Sequence, residues 1–285
     1  MEKIKSIISI VAHVVLLLVV LIVLVRVVEL LPKNSSADEE LTGFDKCSIP
    51  EIGHVPDNSI VVVGHAYGAH STASHDGWIA DHLTDFLNKN SHAIDSLILT
   101  GDVFYTPSIE KWNKLYKEYS NFFDIHIAPG NHDIERPDSR DTLLVSALGI
   151  QTYPYVHTDL PLIIENSMDT QGFLDPKSID LVGLTASSIV WIARHNPPLR
   201  ELRHVANATI GMSSELDTFA ALDMKLSEDT KEIVWLIGDA GAEAATERLS
   251  CYEKNNHKFV FSGIGEVPGD QILLIHNSKL YSYVL

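Results

Sequence analysis

Ser96-Leu97-Ile98-Leu99-Thr100-Gly101-Asp102 and Asp124-Ile125-His126-Ile127-Ala128-Pro129-Gly130-Asn131-His132-Asp133 share one design. Each is a short apolar run halted by glycine, and polar, ligand-capable residues follow at once. A short apolar run bounded by turn residues reads as a buried strand. Working outward, Ser59-Ile60-Val61-Val62-Val63 is a β-branched run that stops at Gly64-His65. Between these runs, Trp78, Ile79, Leu83, Phe86 and Leu87 recur at helical spacing, and residues 109–122 read as a second helix. Strand, helix, strand, helix, strand is the signature of an α/β architecture. Further strands are expected at 162–165, 179–184, 190–192, 233–237, 258–261, 271–275 and 281–285, and a helix at 243–250.

In α/β sheets, ligands gather where strands end and loops begin. Five strand ends here carry donors: Gly64-His65-Ala66-Tyr67-Gly68, Gly101-Asp102, Gly130-Asn131-His132-Asp133, His195-Asn196-Pro197-Pro198 and Gly238-Asp239-Ala240-Gly241. Imidazole and oxygen donors of this kind suit Mn, Fe or Zn. Taken singly each has a plain alternative. Asp102 and Asp239 could cap helices, Asn131 could hold a turn, and His195 could be a loop histidine. Cap and ligand stand level for Asp239, whereas the joint appearance of the others favours a site.

This order of motifs resembles the calcineurin-like metallophosphoesterase superfamily over residues 59–285. Gly101-Asp102 is similar to its GD motif, Gly130-Asn131-His132-Asp133 to its GNH[DE] motif, and His195-Asn196-Pro197-Pro198 to its metal-binding histidine followed by proline. Tyr153-Pro154-Tyr155 resembles a stretch found between them. The resemblance implies a four-layer αββα sandwich, two mixed β-sheets flanked by helices, with the site at the loop tips. It implies that Asp102 bridges metals, that Asn131 and His195 ligate the second metal, and that His132 contacts the phosphoryl group or leaving oxygen. The metals would activate water for attack, and His132 would protonate the leaving group.

Two motifs depart from that pattern. The family's Asp-x-His is replaced by His65 and Tyr67, and its Gly-His-x-His by Gly238-Asp239-Ala240-Gly241. The expected metal set is therefore Asp102, Asn131, His195, Asp239 and His65, holding one or two divalent ions. His70, His75 and Asp76 are spare donors nearby.

The formal net charge of −17 over 285 residues argues against a nucleic-acid partner, which would require a basic patch. Cys47 and Cys251 have no finger spacing, which excludes a cysteine zinc site; a single disulfide and two free thiols both remain open. Residues 6–25 contain no Lys, Arg, Asp or Glu. As a helix this length rises about 30 Å, enough to cross the hydrocarbon core. Lys3 and Lys5 ahead of it favour an N-terminus in the cytoplasm, while Arg26 and Lys33 after it offset part of that charge bias. An uncleaved anchor is favoured over a cleaved signal, whose apolar stretch is shorter.

The expected organisation is a short cytoplasmic N-terminus (1–5), a transmembrane signal-anchor helix (6–31), a linker (32–48) and a phosphoesterase domain (49–285). The expected protein is single-pass, with its C-terminal domain outside the cytoplasm, in a periplasmic or extracellular space. Two functions follow: a membrane-anchored hydrolase of a phosphomonoester or phosphodiester, or a catalytically degenerate relative that binds a ligand or envelope partner.

Overall fold

The computed structural model describes residues 43–68, 77–134, 153–157, 160–168, 174–202, 218–226, 231–240, 249–265 and 267–285. The compact unit runs Gly43–Leu285. The apolar segment 6–31 lies outside the described residues, and among those described no helix is long and apolar enough to cross a membrane. In chain order the elements are β1 (Asp45–Lys46), β2 (Ser59–Val63), α1 (Asp81–Asn90), β3 (Ile94–Leu99), α2 (Ile109–Tyr119), β4 (Asp124–Ile127), α3 (Asn131–Ile134), β5 (Tyr155–Val156) and β6 (Leu162–Ile164). There follow α4 (Pro176–Leu184), β7 (Ile189–Arg194), a 3₁₀ turn (Arg200–Leu202), α5 (Phe219–Leu226), β8 (Glu232–Ile237), β9 (Leu249–Lys254), β10 (His257–Ser262), β11 (Gln271–His276) and β12 (Lys279–Val284).

The strands form two mixed sheets, ordered β1-β9-β10-β8-β7-β6-β5 and β12-β11-β2-β3-β4. The two-residue period of β2 shows why they stack. Val61 and Val63 face α1 and α2, meeting Leu83, Leu87, Trp112 and Leu115. Ile60 and Val62 face the other sheet, among Trp191, Val234, Leu236 and Val260. A strand buried on both faces needs an unbroken apolar run, and β2 has one. Helix α2 turns Trp112, Leu115 and Tyr119 inward and is capped by Ser108, whose hydroxyl accepts from the Lys111 amide. On the outer face of the larger sheet, Trp235, His257 and Phe259 stack, and Phe219 of α5 meets His257 edge-on with ring centroids 5.5 Å apart. Two mixed sheets with helices outside them agree with the expected α/β class.

Two local expectations fail. Residues 179–184 form the end of α4 rather than a strand. Asp175 caps this helix by accepting from the Lys177 amide, and Pro176 occupies its first turn. Pro there is pre-set for helix, and the buried pair Ser178 and Val182 is spaced one turn apart. Leu249 and Ser250, expected in a helix, instead begin β9, which pairs with β10 and β1. Cys251 of β9 is joined to Cys47 in a disulfide that closes a separation of 204 residues.

Strands β2, β3 and β4 run parallel to one another, as do β6, β7 and β8. Their C-terminal ends therefore deliver loops to a common edge, the place where the ligand-capable residues stand.

Burial pushes His257 down to about 4 although Asp223 opposes the shift. The Trp235 indole N–H donates to His257 Nδ1 at 3.2 Å, so the neutral ring is the one that fits. An unfolded histidine titrates near 6.5. The stability tied to this ring is thus full above pH 6.5 and declines as pH falls toward 4. Denaturation measured from pH 7.5 to 4.5 should show a loss on the order of 2 kcal/mol from this site. His257→Gln, which can still accept the indole bond but does not titrate, should flatten that part of the profile. An unchanged profile in the variant would contradict the assignment.

Candidate metal centre

Two of the donors arrive through turns that only special backbone can make. β2 leads through Gly64 into His65 at φ 48°, and β3 leads through Thr100 and Gly101 (φ 93°) into Asp102 at φ 54°. A left-handed backbone is costly for a residue other than glycine and tends to mark functional sites. A Cβ on Gly101 would strike the His195 ring, and one on Gly130 would strike the Asp102 carboxylate. Close approach of three strand ends therefore requires glycine at both positions.

The five expected ligand residues converge. His65 Nε2 stands 3.6 Å from Asp102 Oδ2 and 3.8 Å from Asp239 Oδ1. His195 Nε2 stands 3.7 Å from Asp102 Oδ1, 3.9 Å from Asp239 Oδ1 and 3.3 Å from Asn131 Oδ1. Ligand atoms of His65, His195 and Asp239 lie within 4.8 Å of one another. His132 borders the group: its backbone N–H donates to Asp102 Oδ1 at 3.0 Å. The Tyr67 ring lies 5.4 Å from that of His65 and 5.5 Å from that of His132. His70, His75 and Asp76 lie outside the described residues.

Hydrogen bonds fix the histidine tautomers. A carbonyl only accepts, so His195 Nδ1 must donate to the Thr100 carbonyl at 3.0 Å. That leaves Nε2 facing three oxygens. His132 Nδ1 likewise donates to the Tyr105 carbonyl at 3.0 Å, leaving its Nε2 available. Both ring nitrogens of His65 are buried without a hydrogen-bond partner. Burying such groups unpaired is expensive, so an imidazole held between two carboxylates without a hydrogen bond marks a place built for a ligand.

The electrostatics point the same way. Burial works against a charged Asp102, yet His195, His65 and His132 hold its carboxyl below the ordinary value. Burial also disfavours a charged His195, but Asp102 and Asp239 outweigh it and raise the ring's pKa. Burial, then Asp102 and its neighbours, push the Tyr67 phenol up, so it remains an O–H donor. Among the described residues the partners of Asp102 and Asp239 are imidazoles, an amide and a backbone N–H; none is Lys or Arg. Oxygen and imidazole donors crowded this closely without a cationic side chain fit a divalent cation, and His195 carries the carbonyl brace common to metal-bound histidines.

Asp133 has a structural part that its place in the motif did not reveal. Its Oδ2 accepts from the amides of Asp102 (2.8 Å) and Gly130 (3.0 Å), and its Oδ1 from that of Val103 (3.1 Å). The buried carboxylate clamps the loop after β3 to the loop after β4. Burial and the Asp102 charge push it up to about 6, against the pull of those amides. Its one sequence signal was its adjacency to Asn131 and His132.

A family model for the calcineurin-like phosphoesterase domain matches residues 70–263. No curated protein sequence matches the chain.

Replacing Asp133 with Asn should leave the overall fold but weaken the clamp, since one oxygen that accepts backbone N–H becomes a donor. Chemical denaturation should show a loss of about 1.5–3 kcal/mol, the range for hydrogen bonds to charged groups. Equal stability in Asp133→Asn would show that the three amides are satisfied some other way.

Proposed function

The chain belongs to the calcineurin-like phosphoesterase family, and from that premise we propose a membrane-anchored, metal-dependent phosphoesterase that hydrolyses a phosphomonoester or phosphodiester. The observation that carries this reading is the orphaned His65 imidazole, buried between Asp102 and Asp239 and facing His195 across the same space. In this reading His65, Asp102, Asn131, His195 and Asp239 hold the cation. When bound, such an ion polarises phosphoryl oxygens and makes water a better nucleophile.

The chain's own groups then have defined tasks. Asp102 is oriented by the His132 amide, so the GD and GNHD loops move as one piece. The Thr100 carbonyl restrains His195 through its Nδ1–H, and Asn131 Oδ1 stands 3.3 Å from the remaining nitrogen, so both present ligand atoms to the same space. His132 is half-buried, and its Nδ1 proton is engaged by the Tyr105 carbonyl, which leaves Nε2 to carry the proton a leaving oxygen needs. The Tyr67 hydroxyl offers a neutral donor near the same space.

Anchoring by residues 6–31 and a position outside the cytoplasm belong to the same proposal. They are supported by the uncharged run at 6–25, by Lys3 and Lys5 before it, and by the Cys47–Cys251 disulfide, a bond that persists in oxidising compartments. A second reading, a binding protein without turnover, is favoured by one feature. His65 and Asp239 stand where the family pattern has an aspartate and a histidine.

The purified full chain in detergent should retain a divalent metal after desalting and hydrolyse a generic phosphoester such as p-nitrophenyl phosphate or its bis ester. Asp102→Ala should lose the metal and the turnover together. His132→Ala should keep the metal and lose about 10²–10⁴-fold in rate. No turnover on either ester would select the binding reading, and no metal retained with Mn, Fe, Zn or Mg supplied would sink the metal-dependent hydrolase.

A further inference from the structure

The metal reading leaves unexplained how Asp239 keeps one geometry. It follows a glycine at the end of β8, and its side chain is 14 % exposed where His65 and His195 are at most 3 % exposed. A carboxylate with that freedom can rotate, offering either oxygen or both. We propose that Asn196 is the positioning residue that fixes the Asp239 carboxylate, and that Glu165 and Arg194 hold Asn196 in place to do so. The inference rests on the metal-centre reading above.

The chain of contacts is continuous. Asn196 Nδ2 donates to Asp239 Oδ2 at 3.4 Å. That leaves Asp239 Oδ1 as the oxygen that faces both His65 and His195. The other side-chain atom of Asn196, Oδ1, accepts from the Ser167 hydroxyl at 3.2 Å, and the Asn196 amide donates to that same hydroxyl oxygen at 3.1 Å. The Ser167 contact decides which end of the amide turns toward Asp239. The Asn196 carbonyl accepts from Arg194 Nε at 2.7 Å, and Arg194 Nη1 donates to Glu165 Oε2 at 2.7 Å. Glu165 and Arg194 are both fully buried, so each needs the other. The Asp239 amide donates to the His195 carbonyl at 3.0 Å, which ties the two loops at the backbone as well.

The arrangement has a chemical purpose. A carboxylate clamped on one oxygen presents the other as a single ligand atom, and outer partners of this kind tune ligand affinity by about 10–100-fold. Asn196 and Asp239 are 43 positions apart, on loops after β7 and β8, so the sheet register alone brings them together.

The test is a double-mutant cycle in the full chain, with Co²⁺ as the probe. Asn196→Ala removes the amide but spares the Arg194 bond to the backbone carbonyl, so the fold is preserved. In the otherwise native chain it should weaken Co²⁺ binding by about 10–100-fold and alter the visible ligand-field absorption of the bound ion. In an Asp239→Ala background the same substitution should change neither quantity further, because the group it acts through is gone. Thermal midpoints of all four proteins separate this from a merely structural role, which would lower stability in both backgrounds without the spectral change. An equal loss of Co²⁺ affinity in both backgrounds, or no loss in the native one, overturns the proposal. A native chain that binds no Co²⁺ overturns the metal-centre reading itself, and this inference with it.

Discussion

The bond from His195 Nδ1–H to the Thr100 carbonyl joins the two sheets at the point where their parallel strands end. It has to form across a gap that tolerates no extra atom. A Cβ on Gly101 would occupy the His195 ring's place, and one on Gly238 would run into Thr100 itself. The bond sets the tautomer of His195, and the tautomer sets which nitrogen faces Asp102, Asp239 and Asn131. The remaining features of the site follow from that choice. Asp102 must reach back toward the imidazole, so it takes a left-handed backbone; His65 does the same from β2. Asp133 then gathers three amides that this crowded geometry would otherwise leave unpaired.

A strained and crowded edge is expensive to fold, and the surrounding layers offset it. The core between the sheets places Trp191, Val234 and Leu236 against Ile60, Val62 and Ile98. A second core packs α1 and α2 onto β2, β3 and β4. Burial on both faces fixes the register of the parallel strands, since a slip of one residue would exchange the side chains packed under the helices with those packed against the other sheet. The loops that follow those strands inherit that precision, which is why donors from five separate stretches meet within a few ångströms.

Most of the strands were legible because a buried parallel strand advertises itself: Ile60 to Val63 and Ile233 to Ile237 are apolar without interruption and stop at glycine. The site was legible for a related reason, since ligand-capable residues stand directly after those glycines. What escaped reading has a physical explanation in each case. The apolar residues at 179–184 fit either a strand or a helix face, and the deciding features were Asp175 and Pro176 upstream. Strand β9 carries Glu253 and Lys254 and buries little besides Ser250 and Cys251, so its pattern is too polar to announce a sheet. Asp133 and Asn196 act through contacts to amides and carboxylates about thirty to forty residues away, and no local pattern encodes such partners.

The replacements in the first and last motifs form a pair rather than two separate losses. In the family pattern the strand end corresponding to β2 supplies an aspartate, and the strand end corresponding to β8 supplies histidines. Here β2 supplies His65 and β8 supplies Asp239, and the two meet at 3.8 Å. The exchange keeps one carboxylate and one imidazole on that side of the pocket while reducing the number of donors. Asp102 and Asp239 face the two imidazoles of His65 and His195, a donor set suited to a divalent ion. Among the described residues Tyr67 lies beside His65, and burial and nearby carboxylates push its phenol up. The altered motifs thus keep a consistent donor set, in which the side chains exchanged between β2 and β8 face each other across one space.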